Sequence, residues 1–148
     1  MVLQLADDFK EFLKLLNAHQ VRYLLIGGFA VGYYGYPRST NDIDVWVEIS
    51  DENASKLVSV IEEFGFALPE LTSDLFLQPD KIVRMGIPPM RIEVLTSISG
   101  VDFEECFSDR VEDEIDGVPV NLIGLIHLKE NKRASGRHKD LDDLDNLP

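Results

Sequence analysis

Apolar residues along this chain follow two rhythms, and the switches between them mark out the elements. Phe9, Phe12, Leu13 and Leu16 recur at helical spacing, with Asp7, Lys10, Glu11 and Lys14 between them. That pattern predicts an amphipathic helix over residues 5–18, ended by Asn17-Ala18-His19-Gln20. Residues 21–26 form a short apolar run bounded by glycines and read as a buried strand. Residues 28–34 read as a helix closed by Gly35 and Pro37. The clearest alternation lies at 42–49: Ile43, Val45, Val47 and Ile49 share one face, and Asp42, Asp44, Trp46 and Glu48 share the other. Ser50-Asp51-Glu52-Asn53 looks like a helix start, leading into a helix over 54–64 that stops at Gly65.

The second half repeats the two rhythms in shorter pieces. Residues 66–79 carry no clear period. Strands at 81–85 and 91–96 flank Gly86-Ile87-Pro88-Pro89 and predict a hairpin, with Ile92 and Val94 on one face and Arg91, Glu93 and Leu95 on the other. A short helix is expected over 101–109. Strands at 111–115 and 118–122 enclose Asp116-Gly117, a strong two-residue hairpin signal. Helices over 122–134 and 139–147 are separated by Ser135-Gly136. The order of elements, with no internal repeat or linker, predicts one α/β domain of the α+β type over residues 1–148, its mixed or antiparallel sheet flanked by helices.

Composition narrows the possibilities. At 148 residues and 45% hydrophobic content the chain is large enough for a real core. No apolar run approaches the roughly 20 residues of a membrane span. Residues 1–14 carry Asp7, Asp8 and Glu11 with no small-residue cleavage site, unlike a signal peptide. The single cysteine, Cys106, excludes an intramolecular disulfide, so a cytoplasmic location is the expectation. The net charge of −13 rules out nucleic-acid binding by general attraction. It leaves open a local basic patch of Lys129, Lys132, Arg133, Arg137 and Lys139.

Candidate chemistry centres on Asp42 and Asp44. Residues two apart on a strand share a face roughly 6–7 Å apart, and adjacent carboxylates repel unless a cation binds them. Magnesium favours such oxygen ligands and keeps waters or phosphate oxygens in its shell. The alternative is a pair of solvent-facing aspartates. Glu93 is the natural third carboxylate if its strand lies beside Asp42 and Asp44; otherwise it is an outward glutamate paired with Arg91 or Arg84. Three such groups can hold two metal ions about 4 Å apart. Gly27-Gly28 ends a strand and opens a helix, where backbone amides approach a phosphate closely, or it is simply a turn. Arg38 suits bidentate phosphate contact, with Ser39 and Thr40 beside it. Lys129, Lys132, Arg137 and Lys139 suit a triphosphate or an acceptor, or a helix C-terminus, and Asp140 is placed to pair with one of them. Trp46, on the aspartate face, is the best base-stacking candidate, ahead of Tyr33, Tyr34 and Tyr36. Cys106 reads as a buried, inert thiol, and His19, His127 and His138 lack metal-ligand spacing.

These residues together resemble the nucleotidyltransferase superfamily, whose pattern is a Gly-Gly or Gly-Ser pair, a spacer, Asp-x-Asp, and a later strand carboxylate. The pieces here are Gly27-Gly28, Asp42-Ile43-Asp44 and Glu93. The stretch from Tyr23 through Arg38-Ser39-Thr40-Asn41-Asp42-Ile43-Asp44 is similar to small bacterial members, including the nucleotidyltransferase toxins of abortive-infection toxin–antitoxin systems. Leu128-Lys129 and Gly136-Arg137-His138-Lys139-Asp140-Leu141 look like that group's later motif. The resemblance implies that Asp42, Asp44 and Glu93 coordinate magnesium as a two-metal catalytic site, with manganese as an alternative ion. It implies that Gly27 and Gly28 cradle phosphates. Arg38, Ser39, Thr40, Lys129, Lys139 and Asp140 complete the nucleotide site. The implied reaction transfers a nucleoside monophosphate from a nucleoside triphosphate, such as ATP, to an RNA, protein or small-molecule acceptor, releasing pyrophosphate. Gly28 replaces the serine of many relatives and so removes a hydroxyl contact. The short chain leaves little room for an acceptor domain, so a homodimer or an antitoxin partner is expected to help bind it. The competing expectation is a catalytically silent module of the same fold that binds a partner protein.

Overall fold

The computed structural model describes residues 5–35, 42–66, 69–86 and 91–148. Its centre is a six-stranded mixed sheet in the order β3-β4-β2-β1-β6-β5, with β1 at Tyr23–Ile26, β2 at Asp42–Val47, β3 at Ile82–Met85, β4 at Arg91–Leu95, β5 at Val111–Ile115 and β6 at Val118–Leu122. The β1–β6 and β2–β4 pairs are parallel and the others antiparallel. This is the mixed sheet flanked by helices that the element order predicts.

One face of the sheet is apolar. Ile43, Val45 and Val47 are buried on it. Ile92, the register partner of Ile43, borders a depression there with Phe9 and Phe64. Those two phenylalanines belong to α1 (Asp7–Ala18) and α3 (Asp51–Phe64), whose apolar stripes cover this face. Helix α3 begins where Ser50 accepts a hydrogen bond from the Asn53 backbone N–H at 3.2 Å, and it ends at Gly65 with φ of 110°. Asn53, 2% exposed, links β1 to β2. Its side chain accepts from the Arg22 N–H at 2.8 Å and donates to the Arg22 and Glu48 carbonyls at 3.1 and 2.9 Å. All of β1, a central strand between β2 and β6, is buried.

The opposite face carries α4 (Phe103–Ser108), whose Phe103 packs on Trp46, and α5 (Leu125–Ser135) and α6 (His138–Asn146), which line a cleft with Asp44 and Glu93; α2 (Gly27–Tyr33) follows β1 directly. Helix α5 begins at Leu125 rather than at residue 122. Leu122 belongs to β6, where it pairs with Leu25, and the Ile123 N–H continues the ladder to the Leu25 carbonyl at 3.1 Å. Helix α1 likewise starts at Asp7, while the Leu5 N–H donates to Asp116 at 3.2 Å. The Asp116-Gly117 turn has φ of 51° and 80°, the positive pair that a tight hairpin demands. The stretch without a period contains a 3₁₀ turn at Ser73–Leu77 that buries Phe76. Among the described residues no helix is long and apolar enough to cross a membrane.

Candidate active site

The site is a row of side chains running across four strands on the helix α5–α6 face. Register pairs Ile26 with Asp44, Asp44 with Glu93, and Glu93 with Arg84. Cross-strand neighbours on one face stand about 5 Å apart at Cβ, so two carboxylates and a guanidinium adjoin. The next row, Leu24, Trp46, Leu95 and Ile82, is apolar. Asp42 lies one pleat further along β2, paired with Arg91. The charged row forms one wall of a cleft of about 300 Å³, which Gly27, Gly28, Lys139 and Asp140 also line.

Gly27 is required twice over at the end of β1. Its φ is +67°, and a Cβ there would sit 2.2 Å from Asp44 Oδ2. Only glycine accepts both the left-handed backbone and the approach of that carboxylate.

Asp44 is the electrostatic centre. Its carboxyl is pushed up from 3.8 to about 7, first by burial, then by the charge of Glu93 and a hydrogen bond with it, then by Asp42, with Lys139 opposing. Asp44 Oδ1 is buried and, among the described residues, has no hydrogen-bond partner. A desolvated carboxylate beside a second carboxylate has a deficit of positive charge that a proton or a divalent cation relieves. The donor set therefore fits a magnesium-type ion. Among the described residues no three His, Cys, Asp or Glu side chains close on a common point. A cation held by Asp44 and Glu93 would thus complete its shell with water or phosphate oxygens.

Glu93 has neighbours of both charges. It adjoins Asp44, and its Oε1 also lies 3.1 Å from Arg84 Nε and 4.0 Å from Arg91. Its side chain is only 18% exposed.

The far wall comes from the α5–α6 hairpin, and here the structure redistributes the basic residues. Gly136, at φ of 66°, turns the chain so that α6 folds back on α5. Lys132, 5% exposed, places its ammonium 3.0 Å from Asp140 and 3.1 Å from Asp143. Asp140 also accepts from Arg137 Nε at 2.8 Å and from the Ser135 hydroxyl. Burial alone would raise the Asp140 carboxyl, but the hydrogen bonds from Ser135, Lys132 and Arg137 prevail and hold it at about 2. Lys132 is thus a buried structural cation. Lys139 is exposed at the cleft and close enough to Asp44 to favour its ionised form. Lys129 does not line the cleft: its ammonium donates to the Pro148 carbonyl. Asp143 escaped the sequence reading. Its signal was the three-residue spacing from Asp140, which puts both carboxylates on the α6 face toward α5.

Trp46 shares the aspartate face but is 2% exposed and packs edge-to-face on Phe103, with ring centroids 5.0 Å apart, so it offers no surface to a base. Tyr33 and Tyr34 are held by Asp113 and the Ile123 carbonyl at 2.5 and 2.6 Å. Cys106 is buried, and burial pushes its thiol up to about 12, as an inert thiol requires. Arg38, Ser39, Thr40 and Tyr36 lie outside the described residues.

No protein-family model matches the chain, and no curated protein matches it. Solved structures do. A candidate nucleotidyltransferase of Thermotoga maritima, TM1012, superposes with a TM-score of 0.61 at 16% identity, covering 91% of this chain and 86% of that one. An antigenic nucleotidyltransferase-like protein of Paracoccidioides brasiliensis superposes with a TM-score of 0.52 at 17% identity, covering 95% and 75%. The chain therefore has the fold of these proteins.

Proposed function

We propose that this chain is a metal-dependent nucleotidyltransferase that moves a nucleoside monophosphate from a nucleoside triphosphate to an acceptor and releases pyrophosphate. The observation that carries the reading is the Asp44–Glu93 pair, side by side on one wall of a cleft whose rim includes Gly27 and Gly28. The shared fold with nucleotidyltransferase-type proteins supports it.

In this reading Asp44 and Glu93, with Asp42 at the start of β2, hold magnesium or manganese. Bound there, the metal would supply charge neutralisation for the reacting phosphate and the departing pyrophosphate. The chain's own residues bind and orient. Gly27 and Gly28 leave the backbone bare so that a phosphate can approach the strand end. Lys139 offers an exposed ammonium to the triphosphate from the far wall. Lys132, Asp140 and Asp143 hold α6, and with it Lys139, against α5. Catalysis of this kind rests on positioning and charge rather than on a covalent protein intermediate.

One observation favours a second reading, a catalytically silent module that binds a partner protein, such as one half of a toxin–antitoxin pair. Glu93 is engaged by Arg84. Calorimetric titration of each nucleoside triphosphate, with and without magnesium, separates the two. The enzyme reading expects binding that needs both magnesium and the aspartates, lost in Asp42→Ala/Asp44→Ala, with pyrophosphate release once an acceptor is supplied. Nucleotide binding indifferent to metal and to that double substitution would refute it.

A further inference from the structure

The charged row does not end at the carboxylates. Arg84 stands on β3 as the register partner of Glu93 and borders the same cleft as Asp44. Its Nε lies 3.1 Å from Glu93 Oε1, yet its side chain is 59% exposed whereas that of Glu93 is 18% exposed. The guanidinium therefore has one edge on a half-buried carboxylate and the rest in the open cleft. Arg91 stands further off, at 4.0 Å. Asp44, on the other side of Glu93, has a buried oxygen that no described residue satisfies.

We propose that Arg84 is a built-in counter-ion for Glu93, which a divalent cation displaces, and that the freed guanidinium then binds a phosphate of the incoming triphosphate from the β3 side. The inference rests on the metal-site reading given under Proposed function. Its physical basis is competition. Glu93 Oε1 cannot offer full charge to a guanidinium and to a divalent ion at once, and the ion carries twice the charge. Displacement costs little, because an ion pair with a largely exposed arginine is weak. The arginine's planar fork suits a phosphate once released. Lysine at this position would lack that fork but keep the charge. The arrangement spares Glu93 from standing uncompensated beside Asp44 before metal arrives, and it couples metal entry to substrate capture.

The test is calorimetric titration of manganese alone, and then of ATP with saturating magnesium, into the wild-type protein, Arg84→Gln and Asp44→Asn. Because Arg84 is exposed on an edge strand, Arg84→Gln should keep the wild-type circular dichroism spectrum, which is recorded alongside. The proposal expects Arg84→Gln to bind manganese about fivefold more tightly than wild type, since the competing cation is gone. It expects the same variant to bind ATP–magnesium at least about tenfold more weakly, since a charged phosphate contact is lost. Asp44→Asn should lose manganese binding. Equal manganese affinity in wild type and Arg84→Gln, with Asp44→Asn still defective, would overturn the counter-ion role and leave the metal site standing. Unchanged ATP affinity in Arg84→Gln would overturn the phosphate role. No manganese binding by any of the proteins would remove the metal site itself, and this inference with it.

Discussion

The raised Asp44 carboxyl makes a direct prediction about the metal-free protein. The perturbation is a change of pH, with Asp44→Asn as the reference. Asp44 holds its proton up to about pH 7 in the folded state, against an ordinary value of 3.8, mainly because it is buried and next because Glu93 repels its charge. Its proton is thus worth most to the native state. The associated stability is fully present below the unfolded value and is lost as pH rises through the folded one. A displacement of this size amounts to about 4 kcal/mol, at about 1.4 kcal/mol per unit, with roughly 2–3 kcal/mol falling between pH 5 and 8. The assay is urea unfolding in chelator from pH 4 to 8, followed by the emission of Trp46. Wild type should lose stability with rising pH relative to Asp44→Asn, because every other titrating group is common to both. Saturating magnesium should flatten the difference by replacing the proton. Parallel stability profiles for the two proteins across pH 4–8 would refute the reasoning, since they would mean that Asp44 ionises at no cost.

Three further substitutions probe the framework around the site. Gly27→Ala puts a methyl where Asp44 Oδ2 sits and forces a non-glycine residue to φ of +67°; it should destabilise by about 2–4 kcal/mol and abolish manganese binding, checked by urea unfolding and calorimetry. Lys132→Met leaves the Asp140 and Asp143 carboxylates facing each other in the α5–α6 interface without their ammonium. It should cost about 3–5 kcal/mol at neutral pH and recover partly as pH falls toward the carboxylate range, which a pH series of denaturation midpoints would detect. Asn53→Ala removes three hydrogen bonds to the Arg22 and Glu48 backbone in a buried setting. It should cost about 2–3 kcal/mol and speed hydrogen exchange at the Arg22 amide.

Much of the local structure is legible in the chain because it is decided locally. The alternation of Ile43, Val45 and Val47 with Asp42, Asp44 and Trp46 needs only the pleat of a strand to put the aspartates on one face. Ser50 before an apolar period, Gly65 after it, and the Asp116-Gly117 turn act through their own dihedral angles and their own hydrogen bonds. Gly27, Gly28, Asp42, Asp44 and Glu93 stand out as a group through such local signals joined to a family resemblance.

What periodicity leaves open is which strands become neighbours and what fills the opposite wall. Parallel pairing of β2 with β4 sets Asp44 beside Glu93, and antiparallel pairing of β3 with β4 sets Arg84 on its other side. Both depend on sheet order, which is a property of how the helices pack. The burial of Trp46 follows from α4 bringing Phe103 across it, and the burial of Lys132 from α6 setting Asp140 and Asp143 against it. A strand's sequence declares its faces, because side-chain direction is fixed by the backbone beneath it. It does not declare its partners, because the free energy that selects them is spread over contacts far apart in the chain. The sequence by itself therefore determined which residues carry charge on one face; only the tertiary structure decided that two carboxylates and an arginine would meet there.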